Sequence, residues 1–228
     1  MNDSDLESHL TEAGLWSEVI SPRTATEGRA ALFLDRDGVL VEEVNYLHRP
    51  QDARLIDGAA GVIGRANAQG IAVVIVTNQA GIGRRYYDWN HFIAVQTKIT
   101  EMLGAAGVHL DAVFACPHHA DARPPYQHPD HPSRKPNPGM LVLAGGLLGL
   151  DLAASWIIGD RSSDVRAGLN GGLAGGIQVA TGHGSRENER QTASALATNA
   201  YPVLCLNSIA DVPEQPQILN GALTPPGG

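Results

Sequence analysis

The chain has 228 residues, 43% of them hydrophobic and 18% charged, enough for one α/β domain with a sizeable core and unlike an intrinsically disordered chain. Its net charge of -8 speaks against nucleic-acid or membrane partners, so a phosphate ligand has to meet positive charge inside a site. Two cysteines, Cys116 and Cys205, are too few for a disulfide framework and point to a reducing, cytoplasmic setting.

The opening MNDSDLESHL is acidic and lacks an apolar stretch, so no signal peptide is expected, and no apolar run of about 18 residues predicts a membrane span. Residues 1–28 read as an N-terminal arm, with capping-box spacing at Ser4 and Glu7 before a short helix that Gly14 ends. Residues 29–212 then alternate. Ala30–Leu34 and Ile71–Val76 read as buried strands around a helix at Ala59–Gln69. A second helix, Asp88–Leu103, has a capping Asp and apolar residues at Phe92, Val95, Ile99 and Met102. A strand at Ala112–Ala115, a helix at Pro138–Leu148 and strands at Ser155–Ile158, Leu173–Val179 and Pro202–Leu206 follow. This order predicts a doubly wound parallel α/β sheet, with ligands bound beyond the carboxyl ends of its strands. Two long irregular segments, Val39–Ile56 and Cys116–Asn137, mark functional loops. Residues 213–228 form a Pro- and Gly-rich tail, expected to be poorly ordered.

Four fragments leave strand ends carrying chemistry. Asp35-Arg36-Asp37-Gly38 places two carboxylates one residue apart, one to attack phosphorus and the other to give and take a proton. Arg36 is expected on the far side of the strand-like backbone, out of the site. Thr77-Asn78-Gln79-Ala80-Gly81 offers a hydroxyl, an amide and backbone N–H groups for phosphoryl oxygens. Arg134-Lys135 supplies cationic charge. Asp160 and Asp164, four apart at a helix start, are hard oxygen ligands suited to magnesium. Each fragment alone also fits an ordinary turn or helix cap; all four at successive strand exits make one site.

The ordered set FLDRDGVL, IDGA, VVIVTNQAGIGR, CPHH, RKPNPGML and IIGDRSSDVRAG, between about Ala31 and Gly182, resembles the haloacid dehalogenase-type phosphohydrolases. It is nearest to the D-glycero-D-manno-heptose 1,7-bisphosphate phosphatases and the related histidinol-phosphatases. The resemblance implies a HAD-like Rossmannoid fold with a short flap and no large cap domain. It implies a magnesium-dependent phosphatase working through an aspartyl-phosphate on a small phosphorylated sugar; no nucleic-acid or membrane partner is expected, and the protein is expected to be a monomer. Asp35 is then the nucleophile and Asp37 the acid/base. Asp35, the Asp37 carbonyl and Asp160 hold magnesium, with Asp164 behind them. Thr77 and Asn78 hold the phosphoryl, Lys135 neutralises charge, Arg134 contacts substrate, and Tyr46 and His48 of the flap lie near it.

Relatives also carry a structural zinc in the loop after the third strand, on C-x-H and then C-x-C. Here Cys116-Pro117-His118 keeps the first half, and His131-Pro132-Ser133 replaces the second. The ligands left for zinc are Cys116, His118 and His131, with His119, His128 or Asp130 as a fourth. Cys205 has no partner pattern and reads as a core residue.

Overall fold

A computed structural model describes residues 8–20 and 28–213; the Ser4–Glu7 capping box and nearly all of the tail lie outside them. Seven strands form one sheet: β1 (Trp16–Val19), β2 (Ala31–Leu34), β3 (Ala72–Asn78), β4 (Ala112–Cys116), β5 (Trp156–Gly159), β6 (Gly175–Val179) and β7 (Val203–Leu206). Their order is β1-β4-β3-β2-β5-β6-β7. Every pairing is parallel except that of β1 with β4. The helices are α1 (Ala59–Ala68), α2 (Ala80–Gly83), α3 (Trp89–Ala105), α4 (Gly139–Leu148), α5 (Ser162–Asn170) and α6 (Glu189–Ser194).

Strands β2 to β5 are buried on both faces, which is why they read as unbroken apolar runs. Side-chain alternation divides each between two cores. Leu32, Leu34, Val73, Ile75 and Val113 face α1 and α3, where Val62, Ile63, Phe92, Val95 and Ile99 pack. Ala31, Phe33, Val74, Val76 and Phe114 face α4 and α5, meeting Met140, Leu141, Ala144 and Val165. Asp88 caps α3 by accepting from the His91 N–H, as its sequence position predicts.

The arm holds a surprise. Trp16–Val19 runs antiparallel to β4, pairing Trp16 with Ala115 and Val19 with Ala112. Trp16 is fully buried against Trp89 and Phe92. A stretch read as an appendage therefore supplies a strand and a core aromatic.

Strand β2 lies between β3 and β5, where the winding direction reverses. In open parallel sheets that switch point opens a crevice at the carboxyl ends. Asp35 sits there, its N–H donating to Ile158 O at 2.9 Å, level with the ends of β3 and β5.

Candidate active site

The crevice is a cleft of about 550 Å³. Asp35, Asp37, Thr77, Asn78, Arg134, Lys135, Asp160 and Asp164 all line it, so four sequence fragments converge on one rim. Tyr46 lines it as well. His48 does not: its ring stacks on Tyr87 and its Nδ1 faces Tyr46 O, behind the flap.

Lys135 is the hub. Its ammonium is 2.9 Å from Asp35 Oδ1, 2.7 Å from Asp164 Oδ1 and 2.7 Å from Val76 O. All three of its protons have acceptors. Burial alone would lower its pKa, but Asp164 and Asp35 override that and hold it above the usual lysine value. The residue reaches the site because Asn78 holds its backbone: Lys135 N–H donates to Asn78 Oδ1 and Asn78 Nδ2 donates to Lys135 O. Both ends of the Asn78 amide are thus engaged with Lys135, at the wall of the cleft.

One oxygen each of Asp35, Asp160 and Asp164 lies within 4.8 Å of the others. Three carboxylates against one ammonium leave an excess of negative charge. Asp160 Oδ2 accepts from the His183 N–H at 2.6 Å, whereas its buried Oδ1 has no partner among the described residues. Burial, followed by repulsion from Asp35 and Asp164, pushes the Asp160 carboxyl up to about 8. A buried acceptor without a donor, in an acidic cluster, fits a hard divalent cation such as magnesium. Gly38 belongs to the same construction. Its φ is +85°, and a side chain there would run into Asp160, so only glycine lets the chain after β2 pass this close.

A linkage follows for the cation-free protein. The folded pKa of Asp160 lies above its unfolded value of 3.8, so between about pH 4 and 8 the native state binds more protons than the unfolded chain. Its contribution to stability is therefore complete below the unfolded value and is lost as pH rises through the folded one. Thermal unfolding of chelator-treated protein is expected to show a falling midpoint from pH 5 to pH 8. Added magnesium should raise the midpoint more at pH 8 than at pH 5. A cation effect independent of pH would contradict this placement of Asp160.

The proposed zinc set is not assembled. Cys116 is fully buried, and burial pushes its thiol up to about 11. The His118 and His131 rings stack face to face, 3.8 Å apart and 1° from parallel. Imidazole lone pairs lie in the ring plane, so parallel stacked rings do not converge on one tetrahedral ion. His118 Nε2 instead bonds Ala13 O at 2.8 Å, and His131 Nδ1 accepts from Ser133 N–H. Burial, with His118 and His128 nearby, lowers His131 to about 4. The loop is tied to the arm by His118 and, through Tyr126, to Trp89 of α3. Among the described residues no ligand cluster forms here.

Arg36 stays out of the cleft wall, as expected, yet its guanidinium reaches a residue that lines the cleft. It is fully buried and turns back, so that Nε and Nη2 both reach the Asp37 carboxylate at 3.0–3.3 Å. Sequence reasoning gave no place in the cleft to Glu43, Arg84, Arg161, His183 and Arg186, took Gln79 only as part of the phosphate-holding fragment and His119 only as a zinc candidate; all seven are in the cleft wall. Arg84 donates to Tyr46 Oη at 2.6 Å and meets the His119 ring. Its place in GIGR, just after the phosphate loop, was the available signal.

Comparison with known proteins agrees with this geometry. The family model for HAD-hydrolase-like proteins matches residues 132–212, and that for polynucleotide kinase 3 phosphatase matches 33–160. The chain is 47% identical over 170 residues to the D-glycero-beta-D-manno-heptose-1,7-bisphosphate 7-phosphatase of Mesorhizobium japonicum, covering 75% of this chain and 78% of that one. It is 35% identical to the enzyme of the same name from Photorhabdus laumondii, over 83% of this chain and 96% of the relative. Among solved structures, a HAD-like phosphatase from Mesorhizobium loti superposes with a TM-score of 0.78 at 40% identity, covering 88% and 90% of the two chains. A D,D-heptose 1,7-bisphosphate phosphatase from B. bronchiseptica, solved with magnesium and phosphate, gives 0.66 at 28% identity over 80% and 95%. With its acidic crevice at the switch point and this degree of identity, the chain is a phosphoric monoester hydrolase and belongs to the heptose-bisphosphate phosphatase family of HAD-like hydrolases.

Proposed function

We propose that the enzyme removes the 7-phosphate of D-glycero-β-D-manno-heptose 1,7-bisphosphate, with Asp35 as nucleophile. The observation that carries this reading is Lys135, held 2.9 Å from Asp35 in a cleft that also gathers Arg84, Arg134, Arg161 and Arg186. A bisphosphate brings two clusters of charge. One meets Lys135 and the β3 loop, and the retained phosphate is met by arginines nearer the mouth. The β configuration follows the name of the Mesorhizobium japonicum relative.

In this reading Asp35 attacks phosphorus while Asp37 gives its proton to the departing sugar oxygen. Asp37 then takes a proton from the water that cleaves the aspartyl-phosphate. Thr77 and backbone N–H groups of the β3–α2 turn hold the phosphoryl oxygens. Asn78 acts on Lys135, and Lys135 shields the charge that spreads over the phosphoryl in flight. Asp35, the Asp37 carbonyl and Asp160 would hold magnesium, with Asp164 behind. When bound, the ion neutralises phosphoryl charge. The flap carries Asn45 and Tyr46, both non-glycine residues with positive φ, at 53° and 65°; strain of this kind collects where substrates are gripped. The reading has the enzyme acting as a cytoplasmic monomer on a free sugar phosphate.

The test is a comparison of kcat/KM with magnesium across the β- and α-anomers of the heptose bisphosphate, histidinol phosphate and a 3′-phosphorylated oligonucleotide. The β-anomer is expected to lead the others by at least about 10-fold, with chelator abolishing turnover. Preference for histidinol phosphate or the oligonucleotide would reject the heptose assignment.

A further inference from the structure

We propose that Gln79 is a positioning residue that aims the Asp37 carboxyl at the leaving oxygen, with Arg36 and Tyr87 fixing its amide. The inference rests on the reading of Asp37 as proton donor given above.

Gln79 is buried and uses both ends of its amide. Its Nε2 donates to Asp37 Oδ2 at 3.1 Å and to Thr77 Oγ1 at 2.9 Å. Its Oε1 accepts from Tyr87 Oη at 2.5 Å and faces Arg36 Nη2 at 3.4 Å. Arginine only donates, so the oxygen of the amide has to face Arg36 and the nitrogen has to face the carboxylate. The amide therefore has one orientation. Arg36 adds two nitrogens on the Asp37 carboxylate from behind and lies 5.3 Å above the Phe92 ring. The Tyr87 ring is held against Gly81, where any added side chain would collide with it.

Two consequences meet in the reaction. The Asp37 carboxyl is held at the same edge of the cleft as Thr77. The Thr77 oxygen, having accepted from Gln79, keeps its own hydrogen for a phosphoryl oxygen. In the first step the sugar O–P bond breaks and an Asp35 O–P bond forms. The proton passes from Asp37 to the sugar oxygen, which leaves as a neutral hydroxyl. That transfer needs the carboxyl within hydrogen-bond reach of the leaving oxygen, and the Gln79 amide sets its direction. Stability alone is a poor account of the network. A buried Arg–carboxylate pair is a weak stabiliser, and Arg36 Nη1 has no partner among the described residues.

The experiment uses the ratio of kcat/KM for the sugar bisphosphate to that for p-nitrophenyl phosphate, whose leaving group departs without a proton. A general loss, including any weakening at Thr77, cancels in this ratio, and kcat/KM covers the steps through departure of the leaving group. Gln79→Met keeps the volume without the amide, and Tyr87→Phe removes one hydroxyl under an intact ring. The ratio is expected to fall about 10- to 30-fold in Gln79→Met and about 3- to 10-fold in Tyr87→Phe, part of the 10²- to 10⁴-fold worth of a general acid. Asp37→Asn serves as the control. If its ratio falls and the other two hold the wild-type ratio, the positioning role is overturned while Asp37 stands. If the Asp37→Asn ratio does not move, the proton-donor reading fails and the inference fails with it. Should Gln79→Met not fold, the ratio in Tyr87→Phe decides.

Discussion

Replacing Asp35 with Asn is expected to lower phosphate release by about 10⁵-fold, the scale on which enzymes lose activity with their nucleophile, while the fold survives. The two side chains have nearly the same shape, and Asn retains an oxygen that accepts from Lys135, now 2.9 Å away. The substitution also removes one negative charge from a cluster in which Asp35 raises the Asp160 carboxyl. The metal-free variant should therefore unfold at or slightly above the wild-type temperature near pH 8. Acid quench of a reaction with labelled substrate should leave label on the wild-type protein and none on the variant. Residual turnover above about one hundredth of wild type, where a nucleophile's removal costs several orders more, would place the nucleophile elsewhere.

Lys135→Met is expected to damage both activity and stability. The ammonium sits between Asp35 and Asp164 and is only 2% exposed. Removing one partner from a buried charge cluster leaves the others uncompensated, at about 3–5 kcal/mol. Denaturant unfolding at pH 7 should show a loss of that size. At pH 5 the gap should narrow, because carboxyls stripped of their cation have raised pKa values and take up protons there. Activity should fall about 10³-fold, the worth of one preorganised donor to developing negative charge. An equal destabilisation at both pH values would mean that Lys135 acts by packing alone.

Much of this site was legible because the fold places function where strands end. An unbroken apolar run such as Ala31–Leu34 marks a strand buried on both faces, and the first polar residues after it mark the crevice. That logic found Asp35, Thr77 and Asp160 without any contact being known. It failed where a residue's role depends on a turn in three dimensions. Arg36 was rightly kept out of the cleft, but its grip on the Asp37 carboxylate could not be read from alternation. The two bonds between the Asn78 amide and the Lys135 backbone were likewise not legible from residue type. Gln79 and Tyr87 are eight residues apart and meet only through the short helix Ala80–Gly83. The loop histidines carried the right chemistry for zinc, but sequence says nothing of ring orientation, and stacking decided against it. Residues Trp16–Val19 escaped for another reason: only the first is fully buried, too little pattern to announce a strand.

That short strand has a consequence for handling the protein. A chain trimmed to begin near Arg29 would lay bare the outer rim of β4, whose residues Ala112–Cys116 are wholly buried. An unpaired apolar ribbon of this kind recruits neighbouring molecules strand to strand. Trp16–Val19 thus shields the enzyme from self-association, and tags or truncations belong at the other terminus.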